Sequence, residues 1–258
     1  MSAVVPLALR YLGGDGPPML VLHGLLGSSR NWLSTGVALA ANGWHVWAAD
    51  LRNHGDSAWA EDCSYKAMAG DVVALIEQQG WKSVYLVGHS MGGKVAMRVA
   101  IDRPDLVSRL AVVDIAPRVY ANRVREEFLA MEALDLAKVH SRKEADLALA
   151  SSVPDWAMRQ FVLTNLQSLA DGSWQWSVNR AALTSALPEI MGNPLVEGEM
   201  YAGPTGFICG GKSTYVADSD WPIIKTFFPA AQRVILPESG HNPHFDSRGG
   251  FVDALGRP

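Results

Sequence analysis

A serine held between two glycines is the residue of this chain whose setting most directly suggests chemistry. Gly88-His89-Ser90-Met91-Gly92 matches the G-x-S-x-G pattern, and it joins an apolar run that predicts a buried strand to a spacing that predicts a helix. So abrupt a turn strains the backbone at Ser90, and the flanking glycines leave out side chains that would clash. The hydroxyl is thereby presented clear of the chain, which favours a nucleophile over an ordinary glycine–serine turn.

A serine hydroxyl is a poor nucleophile until a base removes its proton, so the pattern calls for a histidine. Of the seven histidines, His241 and His244 follow the last predicted strand, where a loop can bring an imidazole to Ser90. We choose His241, because Gly240 before it permits a sharp bend, and keep His244 as the alternative. We expect His89, beside the nucleophile, to point elsewhere.

The imidazolium that forms during attack needs a carboxylate to orient and stabilise it. Asp114 ends the predicted strand that follows the Ser90 unit, and we prefer it to Asp218 and Asp220. Those two residues lie just beyond the next strand of the sheet, where many proteins of this architecture place their acid. Ser213 occupies that strand end here, and we expect it to assist by hydrogen bonding the imidazole.

A tetrahedral oxyanion needs two hydrogen-bond donors beside the nucleophile. The backbone N–H of Met91, at the start of the predicted helix, is one candidate. The backbone N–H of Leu25, in the small-residue loop after His23 and Gly24, is the other. We expect His23 itself to contact the substrate.

The elements that must position these residues alternate along the chain between short apolar runs and helical spacings. Such alternation predicts an α/β fold, with a mostly parallel twisted sheet and helices on both faces. The candidate residues follow the carboxyl ends of the strands, where open parallel sheets bind their ligands. The predicted strands are 4–11, 19–22, 44–49, 84–87, 110–113, 205–209 and 233–236, and the helices outside the Ser90 unit are 31–41, 64–79, 221–228 and 251–255.

The pattern changes between about Arg118 and Tyr201, where helical spacings replace the buried-strand runs. We predict a helical cap of residues 118–200, inserted into a core of residues 1–117 and 201–258. Its many aromatic side chains are expected mostly to form the cap's own core, with a few lining the cleft. Trp156 and Phe161 are taken as substrate contacts.

Three arginines near the start of this segment are candidates for binding an anionic substrate tail such as the phosphates of CoA. They are Arg118, Arg123 and Arg125. Solvated arginines are the simpler interpretation, and a comparison of substrates with and without a CoA leaving group would decide between the two.

The amino-acid composition limits the classes of protein to which this chain can belong. A chain of 258 residues that is 48% hydrophobic suits one large α/β domain or a core with one insertion. A net charge of −4 without a basic run argues against a nucleic-acid partner. Cys63 and Cys209 are too few for a disulfide framework or a cysteine metal site, and no signal peptide or membrane span is recognised. We expect a cytoplasmic monomer or homodimer without stable membrane anchoring.

Four phrases together resemble the α/β-hydrolase superfamily, and more narrowly the YbfF-type bacterial esterases and their mitochondrial relatives. G-x-S-x-G alone is not specific to that branch, whereas R-N-H-G, G-H-S-M-G-G-K and D-I-A-P in combination are. The resemblance covers the whole sheet domain. The phrases are Leu22-His23-Gly24, Asp50-Leu51-Arg52-Asn53-His54-Gly55, Gly88-His89-Ser90-Met91-Gly92-Gly93-Lys94 and Asp114-Ile115-Ala116-Pro117.

The resemblance implies an α/β-hydrolase fold with a helical cap over the site, and a carboxylic-ester hydrolase without metal or organic cofactor. It also admits acyl thioesters such as acyl-CoA as substrates. Ser213 stands where the wider superfamily usually has its acid, so the choice among Asp114, Asp218 and Asp220 stays open.

The predicted function is a serine hydrolase that cleaves small-molecule carboxylic esters through an acyl-enzyme intermediate. Two alternatives remain. One is a cofactor-less C–C hydrolase or lyase that uses the same triad on a metabolic acid. The other is a ligand-binding receptor of the same fold with slow turnover.

Overall fold

The computed structural model describes residues 3–121 and 126–258. In chain order the strands are β1 (Leu9–Gly13), β2 (Pro18–Leu22), β3 (His45–Ala49), β4 (Val84–His89), β5 (Val107–Val113), β6 (Leu166–Ser168), β7 (Trp174–Trp176), β8 (Thr205–Gly210) and β9 (Ala231–Leu236). Seven of these described strands form one sheet in the order β1-β3-β2-β4-β5-β8-β9. The edge strand β1 is antiparallel to β3 and the other pairings are parallel.

Helices from outside residues 118–200 pack on both faces of the sheet, and the described residues form eleven α-helices in all. They are α1 (Leu33–Ala41), α2 (Tyr65–Gln78), α3 (Met91–Asp102), α4 (Glu126–Ala133), α5 (Arg142–Leu149), α6 (Trp156–Leu163), α7 (Arg180–Ser185), α8 (Leu187–Met191), α9 (Trp221–Phe227), α10 (Pro243–Asp246) and α11 (Arg248–Leu255). None of the helices in the described ranges is long and apolar enough to cross a membrane.

The pleat of β2 shows how the sheet divides the core in two. Met19 and Val21 pack into the cluster that contains side chains of α1 and α11, whereas Leu20 and Leu22 pack into the cluster of α2 and α3. Successive side chains of a strand point to opposite faces, so a continuous apolar run is what a strand covered on both sides requires. The predicted fold class is therefore confirmed.

The segment between β5 and β8, residues 118–200, is called the insertion below. It contains α4 to α8 and a two-stranded antiparallel sheet of β6 and β7. The spacing of Met158, Val162, Leu166 and Leu169 predicts one continuous helix, but α6 ends at Leu163 and the chain turns into β6. Gly172, at φ 84°, supports the turn between these strands, and Trp174-Gln175-Trp176 has the alternation of a half-buried strand.

The two ends of the insertion lie side by side. The backbone N–H of Tyr120 donates to the carbonyl of Met191 at 2.8 Å. The Tyr120 hydroxyl accepts a hydrogen bond from the N–H of Ala116, also at 2.8 Å. Tyr120 and Met191 thus meet close to the carboxyl end of β5, and residues 192–204 then lead to the start of β8, where Thr205 pairs with Leu110 of β5.

Candidate active site

Ser90 lies at a strained turn between β4 and α3. Its backbone has φ 51° and ψ −119°, a conformation that residues with a side chain rarely adopt. A Cβ atom on Gly88 would lie 2.2 Å from the carbonyl oxygen of Gly92, and one on Gly92 would lie 2.4 Å from that of His23. Both positions therefore require glycine, as the G-x-S-x-G pattern predicts.

An unbroken line of hydrogen-bonding groups runs from Ser90 to a buried carboxylate. The His241 Nε2 lies 3.1 Å from the Ser90 Oγ, and the His241 Nδ1 lies 2.8 Å from Oδ2 of Asp114. An ionised carboxylate only accepts hydrogen bonds, so its partner Nδ1 carries the proton and Nε2 is free to accept from the hydroxyl. This is the geometry of a Ser-His-Asp triad.

The Asp114 carboxylate is fixed by further donors. Its Oδ1 accepts from the N–H of Gly210 at 3.0 Å, and its Oδ2 accepts from the Ser213 hydroxyl as well as from His241. We predicted that Ser213 would bond the imidazole, and this is corrected: the hydroxyl bonds the carboxylate that holds the imidazole. Ser213 is thus part of the same hydrogen-bonded group.

The alternative acids and the alternative base point elsewhere. The Asp218 side chain is 91% exposed and pairs with Arg233 at 2.7 Å. Asp220 pairs with Arg118 at 3.0 Å. His244 is buried with its ring stacked on Trp32, at 4.4 Å between centroids.

Backbone strain is concentrated at the carboxyl ends of the strands, the edge of the sheet where Ser90 lies. Among the described residues, the non-glycine residues with positive φ are Leu26, Asn53, Ser90 and Asp114. They lie in the loops after β2, β3, β4 and β5 respectively. Each such conformation typically costs about 1–3 kcal/mol and persists only where the surroundings enforce it, which is common at functional sites.

The segments that carry the two predicted oxyanion donors border Ser90. A Cβ atom on Gly24 would lie 3.3 Å from the Cβ of Ser90, so the loop containing Leu25 packs against the nucleophile. Met91 begins α3, and a first-turn N–H has no partner within its helix. Leu25 and Met91 both line the cleft that opens at Ser90.

Two buried histidines support this loop. The His54 Nε2 accepts from the N–H of Leu26 at 3.3 Å, and the His23 Nε2 accepts from the N–H of Leu51 at 2.9 Å. The Nδ1 of each ring lies within 2.9 Å of a backbone carbonyl and must donate to it. Burial lowers the pKa of both, that of His54 to about 3, so each ring is neutral. The predicted substrate contact of His23 is corrected, because both its ring nitrogens are already bonded.

The insertion bonds directly to the strand-end loops. The Asn165 Nδ2 donates to the carbonyl of Leu26 at 2.9 Å. The Asn179 side chain donates to the Oδ1 of Asn53 at 3.1 Å, and its backbone N–H donates to the Asn53 carbonyl at 2.9 Å. Sequence reasoning missed these contacts, since nothing local marks an asparagine as the partner of a loop more than a hundred residues away.

His89 was expected to point elsewhere, but it faces the loop that carries His241. Its Nε2 lies 2.7 Å from the carbonyl oxygen of His241. Tyr215, which sequence reasoning missed, stacks on the imidazole of His241, with the ring centroids 3.7 Å apart and the rings inclined by 17°. Both contacts restrict the position of the imidazole.

The space around the cleft at Ser90, counting the solvent at its open side, is about 300 Å³. Neither Trp156 nor Phe161 lines it: Trp156 is 66% exposed on α6, and Phe161 packs against the hydrophobic core. The structure therefore places neither of these two predicted substrate contacts at the cleft, which is bordered mainly by apolar side chains of the core and of the insertion. The lining residues are Leu25, Tyr65, Ser90, Met91, Lys94, Ile115, Tyr120, Ile190, Met191 and Tyr215.

The remaining predictions concern binding of an anionic substrate tail or a metal ion. Arg118 is engaged with Asp220, and its guanidinium also lies 4.0 Å from the centre of the Tyr120 ring. Arg123 and Arg125 lie outside the described residues. Within residues 3–121 and 126–258, no group of three or more His, Cys, Asp or Glu side chains is arranged to hold a metal ion.

Comparison with known proteins finds relatives that match nearly the whole chain. The sn-1-specific diacylglycerol lipase ABHD11 of Mus musculus is 42% identical over 260 residues, which cover 97% of this chain and 84% of that protein. Esterase YbfF of Escherichia coli (strain K12) is 30% identical over 244 residues, covering 94% and 93%. A solved structure of a marine microorganism esterase matches with a TM-score of 0.92 and 34% identity, covering 97% and 98%. The profile of the alpha/beta hydrolase fold matches residues 17–247, and this chain belongs to that family.

Proposed function

We propose that this protein hydrolyses carboxylic esters of small molecules through an acyl-enzyme formed on Ser90. The observation that carries the proposal is the line of contacts from Ser90 through His241 to Asp114, at 3.1 and 2.8 Å. The names of its relatives, a diacylglycerol lipase and esterases, agree with the same reaction.

The first half of the reaction transfers the acyl group to the enzyme. The Ser90 hydroxyl attacks the ester carbonyl while the His241 Nε2 takes its proton, and Asp114 stabilises the imidazolium. The backbone N–H groups of Leu25 and Met91 donate to the oxyanion of the tetrahedral intermediate; one such donor is typically worth about 3 kcal/mol of barrier. The imidazolium then gives its proton to the departing alkoxide, and the alcohol leaves.

The second half releases the acid. His241 takes a proton from water, and the hydroxide that forms attacks the acyl carbonyl through a second tetrahedral intermediate. Collapse of that intermediate breaks the bond to the Ser90 oxygen, which recovers its proton from the imidazolium. The products are one carboxylic acid and one alcohol, and the enzyme returns to its starting state.

The surroundings of Ser90 indicate the kind of acyl group. Leu25, Met91, Ile115, Ile190 and Met191 give the cleft an apolar lining, which favours an uncharged acyl chain. We further propose that residues 118–200 act as a cap over a core of residues 1–117 and 201–258. The bonds from Asn165 and Asn179 to the strand-end loops support this role, because they join the insertion to the loops that border the nucleophile.

The test is an ester and thioester panel assayed with the wild type and Ser90→Ala. The panel contains nitrophenyl esters of increasing acyl length, a diacylglycerol and an acyl-CoA. We expect ester turnover to fall by about 1,000-fold or more in the variant, since the residual rate then depends on binding and the oxyanion donors alone. Turnover that survives within about tenfold would refute the mechanism.

The panel also separates the alternatives. Uniformly low turnover of all the simple esters would favour the C–C hydrolase or lyase. Stoichiometric labelling of Ser90 by a fluorophosphonate, with no multiple turnover on any ester, would indicate a receptor. Faster cleavage of acyl-CoA than of the matched oxygen ester would extend the proposal to thioesters.

A further inference from the structure

Lys94 is a lysine buried beside the nucleophile. It lies one turn after Ser90 on α3, and its backbone N–H donates to the Ser90 carbonyl at 3.1 Å. The residue is 1% exposed, and it lines the cleft together with Ser90. The mechanism proposed above gives it no part.

The Lys94 ammonium donates to three backbone carbonyls. They are those of Arg118 at 3.1 Å, Met191 at 3.3 Å and Gly192 at 2.5 Å. An ammonium has three N–H donors, so all of them are used. No carboxylate of the described residues forms an ion pair with it, and the nearest further support is the Tyr120 ring, whose centre lies 4.7 Å away.

These carbonyls belong to the two ends of the insertion. Arg118 is its first residue, whereas Met191 and Gly192 lie at the end of α8, its last helix. Tyr120 and Met191, next to these carbonyls, line the same cleft as Ser90 and are here called its facing wall. The three bonds from Lys94 therefore join the nucleophile's helix to the facing wall of the cleft.

Burying the Lys94 ammonium costs more free energy than burying an apolar side chain of the same size would. Burial is the main cause that lowers the pKa of Lys94, to about 7, and the positive charge of Arg118 adds to it. An apolar side chain of similar shape often stabilises a protein as well as a buried charged group does, or better. An apolar side chain, however, cannot donate hydrogen bonds to three separate carbonyls.

We propose that Lys94 is a positioning residue that holds both ends of the insertion over Ser90 and so determines which acyl groups fit the cleft. Its effect on substrate choice rests on the proposed ester hydrolysis, whereas its effect on the insertion rests on the contacts alone. Loss of the three bonds frees the facing wall, so that short acyl chains are held less well and longer chains are admitted.

The first experiment needs no substrate. Hydrogen–deuterium exchange is compared in the wild type, Lys94→Met and Lys82→Met, where Lys82 is an exposed lysine that precedes β4. We expect amides of residues 116–121 and 190–195 to exchange about tenfold faster in Lys94→Met only, because both segments lose the same anchor. Unchanged exchange in both segments would overturn the proposal even if the protein proves not to be an esterase.

The second experiment measures kcat and KM on nitrophenyl esters of two and of eight acyl carbons. For Lys94→Met we expect KM for the short ester to rise about tenfold while kcat changes less than about threefold, since ground-state binding is lost and the triad is kept. The preference for the long ester should rise accordingly. A fall in kcat alone, with the wild-type length preference, would contradict the proposal.

A third variant keeps the proposal testable if Lys94→Met does not fold. Lys94→Gln is neutral but keeps two N–H donors, so its length preference should lie between those of the wild type and Lys94→Met. Circular dichroism establishes which variants are folded. If Lys94→Met and Lys94→Gln both unfold while Lys82→Met does not, Lys94 serves overall stability and the positioning role is rejected.

Discussion

The imidazole of His89 donates from its Nε2 to the carbonyl oxygen of His241, at 2.7 Å. A carbonyl only accepts hydrogen bonds, so the proton of the His89 ring must be on this nitrogen. Burial, and after it the nearby His244 and His241, lowers the pKa of His89 well below its usual value, which keeps the ring neutral. The residue next to the nucleophile thus supports the backbone of the proposed base.

Replacing His89 should impair the chemical step. His89→Phe keeps a ring of similar size but removes the donor to the His241 carbonyl, so the imidazole of the base is less well held. We expect kcat on a nitrophenyl ester to fall about 10- to 100-fold with little change in KM, because small displacements of a catalytic group are costly. His89→Gln, which retains an N–H donor, is the control and should lose less. Equal kcat in the wild type and His89→Phe would show that the bond is dispensable.

The acid is identified by a matched pair of variants. Asp114→Asn keeps the shape of the side chain but offers His241 the wrong hydrogen-bonding partner, and we expect kcat to fall about 10,000-fold. Asp218→Asn should leave kcat within about twofold, since Asp218 lies on the surface beside Arg233. Steady-state kinetics on one ester suffices. If Asp218→Asn lowered kcat more than Asp114→Asn did, the acid would be Asp218, in the segment that follows β8.

Ser213 should contribute less than Asp114. Ser213→Ala removes one of the donors to the Asp114 carboxylate and leaves the remaining contacts in place. Loss of a hydrogen bond to a charged group is worth about 1.5–3 kcal/mol, so kcat should fall by about 10- to 150-fold if the whole loss appears in the transition state. Ser213→Thr preserves the hydroxyl and is the control. An unaffected Ser213→Ala enzyme would limit Ser213 to a passive role.

Acid should destabilise the fold through its buried histidines. The pKa of His244 is lowered from 6.5 to about 3, chiefly by burial. In the pH range between those values the unfolded chain binds the proton that the folded chain excludes. The free energy of unfolding is therefore complete above pH 6.5 and falls as the pH decreases towards 3, by about 2 kcal/mol for this residue at pH 5.

His244→Phe tests this dependence. The variant keeps an aromatic ring against Trp32 but has no proton to bind, so between about pH 7.5 and pH 5 it should lose about 2 kcal/mol less than the wild type. Urea unfolding at the two pH values measures the difference. His140→Gln is the control, because it removes an exposed histidine from a different part of the chain. Parallel slopes for the wild type and His244→Phe would contradict the assignment.

The sequence was most informative where structure is local. The strand, turn and helix around Ser90 follow from side-chain size and spacing within a dozen residues, and the rule that ligands bind at strand ends selected His241 and Asp114. It was least informative where contacts join distant segments. Lys94 meets carbonyls 24 to 98 positions away, and Tyr215 stacks on a ring in another loop. No local pattern carries such information, because backbone carbonyls have no sequence signature.

Short elements were missed for a related reason. β6 and β7 have three residues each, too few for alternation to outweigh the helical spacing of Met158, Val162 and Leu166. Trp156 and Phe161 were assigned to the substrate by residue type alone. Which face of a helix meets the core and which meets solvent depends on how the insertion packs, and type does not determine that.

The hydrogen bond between Tyr120 and Met191 bears on how this protein diverges from its relatives. A segment whose ends meet can be lengthened, shortened or exchanged without shifting the strands on either side, much as whole domains are inserted where chain ends lie together. Natural variation can therefore change the length and shape of the proposed cap without moving the strand-end residues that it borders.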